Sequence, residues 1–339
     1  MLKFTESRLQ EILEKGRSKQ IMVVGDLMVD RYLWGSVNRL SPEAPVPIIN
    51  INDEEIRFGG AANVANNVIS LGATPIVVGI VGKDHWGQVF RSMLMDRNLR
   101  ADGLIEDASR PTTLKTRIIG NNQHIARVDR EVARPISEAI QKRIVQFVAD
   151  QIHRIDAIIL QDYNKGILVP PLIQQIVALA NKHSVIVTVD PKFDHFLEYR
   201  QVTLFKPNKR ETEEALAMRL MDEEHIRAAG KRLIERLNAR AVLITLGEKG
   251  MALFESDGQV VFTGTRARKV ADVSGAGDTV IATVTFALTA GADFREAVTL
   301  SNFAAGVVCE EVGVVPIDRD VLQKTILMNQ HRFNDAKYF

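Results

Sequence analysis

The sequence has 339 residues, of which 46% are hydrophobic and 25% are charged, the usual balance of a globular protein. Lys and Arg number 43 against 42 Asp and Glu, so there is no positive excess for binding nucleic acid or an anionic membrane surface. The single cysteine, Cys309, excludes an internal disulfide and lies in an apolar run that predicts a buried thiol. No run approaches the ~18 apolar residues of a membrane span, so we expect a cytoplasmic protein.

Short apolar runs alternate with longer amphipathic segments along most of the chain. The apolar runs predict buried strands at residues 21–26, 75–82, 156–162, 185–190, 202–208 and 241–247. The amphipathic segments predict helices near residues 60–71, 85–98, 136–152, 170–183, 210–217 and 222–238. This alternation predicts an α/β fold with a mostly parallel central sheet and helices on both faces. Ligands of such folds bind at the carboxyl ends of the strands.

Two stretches interrupt this alternation. Residues 31–57 and 110–131 contain short runs in which apolar and polar residues alternate, with no helix between the runs. They predict the half-exposed strands of a small accessory sheet. Because a small sheet cannot bury both faces, we expect it to form a lid over the active site and to pair with a second chain in a homodimer. Without repeats or long linkers, residues 1–339 are expected to form one domain with this lid.

The segment ADVSGAGDTVIATVTFALTAG (271–291) combines a glycine-rich turn with an acid. Gly275, Ala276 and Gly277 precede Asp278, and an apolar helical run follows. Small residues let a ligand approach the unpaired amides of a helix N-terminus, where the helix dipole favours negative charge. We therefore predict an anion hole at these three residues, with Asp278 as the catalytic base for an attacking hydroxyl. The alternative is that Asp278 only caps a core helix.

Two other nucleotide-binding motifs fit less well. A dinucleotide fingerprint needs a small residue where this chain has Val280, and it belongs in the first strand–turn–helix unit rather than near the C-terminus. The pattern GxxxxGK[ST] does not occur, which excludes a P-loop.

The run DVSGAGD resembles the signature of the ribokinase-like (PfkB-type) carbohydrate kinases, whose consensus is close to D-T-x-G-A-G-D. The resemblance covers nearly the whole chain, and its motifs occur in the order of the family. It implies a ribokinase-like fold, ATP as the phosphoryl donor and Mg²⁺ as the cofactor.

The resemblance implies a sugar site near the N-terminus. GDLMVDRY (25–32) and RFGGAANVANNV (57–68) carry the matching residues, which are Asp26, Asp30, Gly59, Gly60 and Asn63. Glycine permits close approach, and an amide offers both a donor and acceptors to sugar hydroxyls. The alternative is that the glycines form only a turn and Asn63 only begins a helix. Asp162 and Asp190, which also end buried strands, are predicted as further substrate contacts.

The nucleotide is expected at three later motifs. KPNKRETEE (206–214) is similar to the N-x-x-E element of the family, and it implies that Asn208 and Glu211 contact ATP and hold water around Mg²⁺. The same spacing also fits ordinary helix capping. TLGEKG (245–250) implies ATP contacts at Thr245 and Gly247, although a simple hairpin turn explains it equally well. SNFAAGVV (301–308) implies a base or ribose contact at Asn302.

The family often places a monovalent cation beside the glycine-rich turn. The resemblance implies such a site, for K⁺, at Asp272, Ser274 and the loop of residues 310–313.

RLSPEAPVPI (39–48), NNQHIARVDRE (121–131) and LQDYNKGIL (160–168) resemble one branch of the family, the D-glycero-β-D-manno-heptose 7-phosphate kinases of ADP-heptose synthesis, a route to the lipopolysaccharide core. The branch implies phosphorylation of the anomeric C1 hydroxyl to the 1,7-bisphosphate. A phosphorylated sugar also needs cationic anchors, and the candidates are Arg39, Arg117, Arg127, Lys165 and Lys192. Each of these residues can instead be a solvated surface charge.

Two other functions remain open. One is a related kinase for another sugar or sugar phosphate, and the other is a non-catalytic regulator that binds nucleotide or sugar. Fused members of the branch carry a nucleotidyl-transferring domain, and no such segment occurs in these 339 residues. We therefore expect either a stand-alone kinase or the kinase half of a fused protein, which would not make ADP-heptose by itself.

Overall fold

The computed structural model describes residues 4–121, 123–265, 271–311 and 313–329. These residues form one sheet of nine strands and one of four. The nine strands, from edge to edge, are β13 (Val260–Thr263), β12 (Met251–Glu255), β11 (Ala241–Thr245), β10 (Leu204–Phe205), β9 (Ile186–Asp190), β8 (Ala157–Gln161), β1 (Gln20–Gly25), β4 (Thr74–Gly82) and β5 (Leu104–Asp107). All neighbours pair in parallel except at β12 and β13, which form an antiparallel edge. The predicted mostly parallel sheet is confirmed.

Ten helices of the described residues cover both faces of this sheet, as predicted. On one face lie α1 (Glu6–Gly16), α2 (Ala61–Ser70), α3 (His85–Asp96), α8 (Ala276–Thr289), α9 (Phe294–Val308) and α10 (Arg319–Asn329), and on the other α4 (Glu138–Gln151), α5 (Pro170–Lys182), α6 (Lys209–Leu216) and α7 (Glu223–Leu237). The central strands are buried on both faces. In β1, Val23 packs in one apolar layer while Met22 and Val24 pack in the other. Because side chains alternate along a strand, such a strand must be apolar throughout.

A second sheet, here called the lid sheet, has the strand order β3 (Pro47–Gly60), β2 (Leu27–Leu40), β6 (Leu114–Gly120) and β7 (Gln123–Arg130). β2 and β6 pair in parallel, and the other two pairs are antiparallel. The separate small sheet predicted from residues 31–57 and 110–131 is therefore present, although Asn122 lies outside the described residues. The side chains of β7 are exposed along the whole strand.

Some elements differ from the sequence-based expectation. The strand expected over 202–208 is reduced to Leu204–Phe205. Pro207 has no N–H to donate to a neighbouring strand, and beyond it only an isolated bridge between Asn208 and Thr245 continues the pairing. Helices α1 and α10 and strands β5, β12 and β13 had no sequence-based prediction.

The strand order fixes where a ligand can bind. The strands that follow β1 in the sequence, β4 and β5, are added on one side of β1. The later strands, from β8 to β13, are added on its other side. The crevice at the carboxyl ends of β1 and β8 is thus the topological switch point at which ligands of open α/β sheets bind. Within the described ranges, no helix has both the length and the hydropathy to cross a membrane.

Candidate active site

The N-terminus of α8 opens into the cleft at this edge of the sheet. Gly275 precedes the helix in the left-handed conformation, with a φ of 80°. The amides of Gly275 and Gly277 have no protein acceptor among the residues described, and they are free to bind an anion. The amide of Ala276, by contrast, donates to the carbonyl of Val273 at 3.3 Å. Of the three amides of the predicted anion hole, two are thus unpaired, because the turn closes on itself at its middle residue; the anion hole itself stays a prediction.

Asp278 lies in the first turn of α8, with 6% of its surface exposed. Its Oδ2 accepts a hydrogen bond from Asn63 Nδ2 at 2.7 Å. Its Oδ1 accepts one from the Tyr163 hydroxyl at 2.7 Å and one from Gln161 Nε2 at 3.2 Å. The helix cap is Gly275, which makes no side-chain cap bond. The alternative in which Asp278 only caps its helix is therefore wrong: its carboxylate is held by donors from α2 and from the end of β8.

Burial raises the pKa of Asp278 to about 6. The hydrogen bonds from Asn63 and Tyr163 act in the opposite direction by favouring the charged form. The neighbouring carboxylate of Asp190 also raises the pKa of Asp278, and the ammonium of Lys206 lowers it. A carboxyl group in this environment is mostly ionised at neutral pH, yet basic enough to accept a proton from a hydroxyl.

A buried ion pair lies beside this carboxylate. Lys206 is 2% exposed, and its Nζ lies 3.0 Å from Asp190 Oδ1. The other oxygen of Asp190 accepts a hydrogen bond from Gln161 Nε2 at 3.2 Å. The sequence analysis placed Asp190 in the site but missed Lys206, Gln161 and Tyr163. The one available indication was a lysine at the end of an apolar run, LFKPN.

A cleft of about 830 Å³ extends from the N-terminus of α8 to the end of β11. Four of the five residues predicted to contact ATP line it, namely Asn208, Thr245, Gly247 and Asn302, whereas Glu211 does not. The side chain of Asn302 donates from Nδ2 to the carbonyl of Gly264 at 2.7 Å. Cys309 is buried, as expected, and also lines this cleft.

Asn208 and Glu211 form a capping box at the start of α6, so the capping interpretation of this motif is confirmed. One oxygen of Glu211 accepts from the amide of Asn208 at 2.8 Å, and the other accepts from Lys192 Nζ. Lys192 was predicted to anchor the phosphate of the sugar. It lies instead on the wall of the large cleft, because the loop after β9 runs beside α6 and not beside the lid sheet.

The predicted sugar residues Asp30, Gly59, Gly60 and Asn63 gather where the lid sheet meets α2. Asp30 is 5% exposed and accepts a hydrogen bond from Arg117 Nη1 at 2.7 Å. Gly59 and Gly60 end β3, and Gly60 precedes α2.

Arg117 and Arg57 both stack on the ring of Tyr32, at 5.1 Å and 5.0 Å from its centre. Arg57 belongs to the RFGG motif, and the sequence analysis did not select it.

Asp26 and Asp162 do not face this site, which corrects their predicted role as sugar contacts. They are 1% and 2% exposed. Asp162 accepts from the Tyr199 hydroxyl at 2.7 Å, and Asp26 accepts from backbone amides of residues 163 and 165. Both carboxylates follow the alternation of their strands onto the face of α4 and α5, opposite to Asp278.

Three predicted phosphate anchors lie on the lid sheet or beside it. Lys165 Nζ pairs with Glu131 Oε1 at 2.7 Å, which ties the loop after β8 to the end of β7. Arg127 is exposed, faces Arg117 across the strand pair and pairs with Asp129 at 3.1 Å. Arg39 is exposed near the outer end of β2, about 30 Å along the strand from Asp30. Arg39 was predicted to contact the sugar phosphate, and it does not lie together with the other predicted sugar residues.

The predicted monovalent-cation residues do come together. Asp272 Oδ1 accepts from the amide of Ser274 at 2.8 Å, and its Oδ2 accepts from the amide of Gly313 at 3.0 Å. Residue 312 of this loop lies outside the described part of the chain. Among the described side chains, no group of three or more His, Cys, Asp and Glu could hold a metal ion alone.

Comparison with known proteins agrees with this geometry. Residues 18–319 match the pfkB family of carbohydrate kinases. The chain is 41% identical over 316 residues to "Bifunctional protein HldE" of Geobacter sulfurreducens, covering 93% of this chain and 64% of that protein. It is 45% identical over 295 residues to the protein of the same name from Helicobacter pylori strain G27, covering 87% of this chain and 64% of that protein. The chain thus spans less than two thirds of the length of these relatives.

Among solved structures, the ribokinase of Arabidopsis thaliana complexed with ribose and ATP superimposes with a TM-score of 0.73 at 20% identity. The match covers 94% of this chain and 100% of that chain, so the fold is shared throughout. An α/β sheet with an acid and free amides at a helix N-terminus is the arrangement of a small-molecule kinase. The chain belongs to the pfkB family of carbohydrate kinases.

Proposed function

We propose that this protein transfers the γ-phosphoryl group of ATP to the anomeric C1 hydroxyl of D-glycero-β-D-manno-heptose 7-phosphate, giving ADP and the 1,7-bisphosphate. The main support for the proposal is the position of Asp278, whose carboxylate lies beside two free amides at the mouth of the cleft. The choice of sugar rests on the resemblance of RLSPEAPVPI and DYNKG to the heptose 7-phosphate branch, together with the identity to the two relatives over most of this chain.

The proposed chemistry follows from the contacts of Asp278. Its carboxylate accepts the proton of the C1 hydroxyl as that oxygen forms a bond to the γ-phosphorus. The bond from the γ-phosphorus to the bridging oxygen breaks, and ADP leaves with the bridging oxygen. The amides of Gly275 and Gly277 donate to the oxygens of the moving group, where charge accumulates. Lys206, whose ammonium lies beside both Asp278 and Asp190, adds positive charge at the same place.

The nucleotide would occupy the cleft between α8 and β11, with its base toward Asn302 and its phosphates toward the start of α8. Mg²⁺ would be held through water by Glu211 and Asn208, because a single carboxylate with substrate phosphates suits this ion. The residues fit this role: Glu211 is held in place by its capping box and already faces a cation, Lys192 Nζ. When bound, Mg²⁺ would neutralise negative charge on the phosphates of the nucleotide.

The acceptor would lie under the lid sheet. Asp30 and Asn63 offer an acceptor and a donor to its hydroxyls, and Arg117 and Lys165 offer positive charge to its phosphate. Both cations are now paired with carboxylates, so the sugar phosphate would exchange these partners. Lid closure would shed water from the site and limit wasteful hydrolysis of ATP.

A panel of acceptors tests this proposal. Heptose 7-phosphate, fructose 6-phosphate, ribose and adenosine are compared at equal concentration with ATP and Mg²⁺, and ADP release is followed by a coupled assay. We expect kcat/KM for heptose 7-phosphate to exceed that for ribose and adenosine by at least ~10²-fold, because these two acceptors lack the phosphate that Arg117 and Lys165 would bind. It should also exceed kcat/KM for fructose 6-phosphate, which carries a phosphate on a different sugar. Equal or faster turnover of another acceptor contradicts the choice of sugar but leaves the kinase chemistry intact.

Two further features are part of the proposal. The chain acts as a single domain and forms a homodimer through the lid sheet, whose strands β3 and β7 expose Ile51 and Val128. Sedimentation of the protein and of Val128→Glu tests this, since a monomeric wild type contradicts it. A monovalent cation such as K⁺ binds near Asp272, and exchanging K⁺ for Na⁺ in the assay tests that site.

A further inference from the structure

Tyr163 follows β8 and belongs to the DYNKG motif, from which only Lys165 and Asp162 were predicted to act. Its hydroxyl donates to Asp278 Oδ1 at 2.7 Å. The ring is partly buried and lies 5.7 Å from Lys192 Nζ, on the wall of the nucleotide cleft. The tyrosine thus contacts the catalytic carboxylate directly.

The backbone around Tyr163 is fixed by Asp26. The Oδ2 atom of Asp26 accepts from the amide of Tyr163 at 2.7 Å and from the amide of Lys165 at 3.1 Å. Asp26 follows β1, and β1 pairs with β8 in register up to Gly25 and Gln161. The carboxylate therefore ties the loop after β8 to the end of the neighbouring strand. Its Oδ1 has no partner in the described structure.

We propose that Tyr163 is a positioning residue for Asp278, that its hydroxyl orients this carboxylate and favours its ionised form, and that Asp26 holds Tyr163 in place through the loop backbone. This inference rests on the role of Asp278 in the proposed function.

The surroundings of Asp278 show why one hydroxyl matters. Four elements supply a neutral donor or a charge: Asn63 comes from α2, Gln161 and Tyr163 from β8 and its loop, and Asp190, Lys192 and Lys206 from the ends of β9 and β10. Burial and Asp190 favour the protonated form of Asp278. Because the site is already buried, each donor to the ionised form has a large effect.

The test is the titration of the Asp278 carboxyl in the free protein, followed by ¹³C NMR with side-chain-labelled aspartate and assigned with Asp278→Asn. We expect Tyr163→Phe to move the titration of Asp278 to higher pH by ~1 pH unit, the size expected for one hydrogen bond to a charged group. The acidic limb of the pH profile of kcat should move in the same direction, with most of the activity recovered at high pH.

Tyr199→Phe is the matched control. Tyr199 also donates to a buried aspartate, Asp162 Oδ2, at 2.7 Å, but on the opposite face of the sheet. We expect this variant to leave the titration of Asp278 unchanged. An unshifted titration in Tyr163→Phe, or equal shifts in both variants, overturns the proposal.

The Asp26 part has its own variants. Asp26→Asn keeps an oxygen that accepts from the loop amides and should keep the wild-type titration of Asp278. Asp26→Ala removes that acceptor and should reproduce the shift of Tyr163→Phe. A wild-type titration in Asp26→Ala overturns this part. The titration needs no acceptor sugar, so it is independent of the proposed function. If Tyr163→Phe shifts the titration of Asp278 but the enzyme does not phosphorylate heptose 7-phosphate, the proposed function is contradicted and the positioning role of Tyr163 is still supported.

Discussion

Asn63 and Asp278 lie 215 positions apart in the sequence and share a hydrogen bond of 2.7 Å from Nδ2 to Oδ2. The bond joins the helix of the predicted sugar site to the helix of the predicted anion hole. Beside it, Thr279 Oγ1 donates to Asn67 Oδ1 at 3.0 Å, so α2 and α8 are tied by two buried polar contacts. Acceptor and phosphate are therefore expected to meet at this crossing, with the carboxylate between them.

Asp278→Asn tests the role of that carboxylate. The amide is close in shape to the carboxylate but cannot take a proton from a hydroxyl, so we expect kcat to fall by ~10²–10⁴-fold. Nucleotide affinity, measured by calorimetry, should change little because the free amides of α8 remain. Asp257→Asn, on the exposed turn between β12 and β13, is the control and should keep wild-type kcat. An active Asp278→Asn enzyme would refute the assigned role.

Gly277→Ala separates stability from activity. A Cβ on Gly277 lies 3.6 Å from Lys206 Nζ and 3.8 Å from Asp190 Oδ2, which are ordinary contact distances. Alanine is favoured over glycine within a helix by up to about 1 kcal/mol, so thermal stability should hold or rise. The methyl group nevertheless enters the cleft beside the Gly277 amide, which is proposed to bind phosphate, so KM for ATP should rise. A variant that keeps wild-type KM and kcat contradicts the proposed anion hole.

Gly275→Ala should behave in the opposite way. Gly275 has a φ of 80°, and a Cβ there lies 3.1 Å from Val314 Cγ1 and 3.3 Å from Asn63 Nδ2. The left-handed conformation costs a non-glycine residue about 1–2 kcal/mol, so urea denaturation should show a loss of at least this size. Stability equal to that of wild type would show that the turn has another conformation in solution.

Lys192 and Lys165 allow the nucleotide end of the site to be distinguished from the sugar end. Lys192 lines the cleft proposed for the nucleotide and pairs with Glu211, whereas Lys165 pairs with Glu131 at the lid sheet. Lys192→Gln should raise KM for ATP by about tenfold or more, the effect of losing one charge-assisted contact, and leave KM for the sugar phosphate nearly unchanged. Lys165→Gln should do the reverse. Steady-state kinetics with each substrate varied in turn measures both KM values. If Lys192→Gln raised KM for the sugar phosphate and Lys165→Gln raised KM for ATP, the two ends of the site would have been assigned the wrong way round.

The sequence was sufficient to predict the fold and the turn at α8, because continuous apolar runs and a glycine-rich helix start are local patterns. It was not sufficient to predict which way a polar residue at a strand end would point. Asp26 and Asp190 both end buried strands, yet one faces α4 and α5 while the other faces Asp278. The outcome depends on which of the two alternating faces the last residue of each strand occupies, and a strand that is apolar on both faces does not show this in its sequence.

Tyr163 illustrates the same limit. Its contact with Asp278 joins the loop after β8 to the first turn of α8, 115 positions later, and nothing in the DYNKG motif distinguishes it from a surface tyrosine. The cationic residues were equally difficult to assign. A lysine after a buried strand can serve either substrate, and only the packing of α6 against the loop after β9 places Lys192 on the wall of the cleft proposed for the nucleotide.

Asp26 predicts an unusual dependence of stability on pH. Burial, followed by the nearby charge of Asp162, raises the pKa of Asp26 from 3.8 to about 7 in the folded protein. Between these two values the folded state binds more protons than the unfolded state, so the contribution of Asp26 to stability falls as the pH rises through this window. Asp26→Asn keeps the loop acceptor and does not titrate. Its free energy of unfolding, relative to wild type, should therefore increase from about pH 4 to about pH 7, by up to about 1.4 kcal/mol per pH unit. Urea denaturation of both proteins at several pH values measures this difference. A difference that stays constant across the window would mean that Asp26 remains ionised in the fold, and that its two loop hydrogen bonds outweigh its burial.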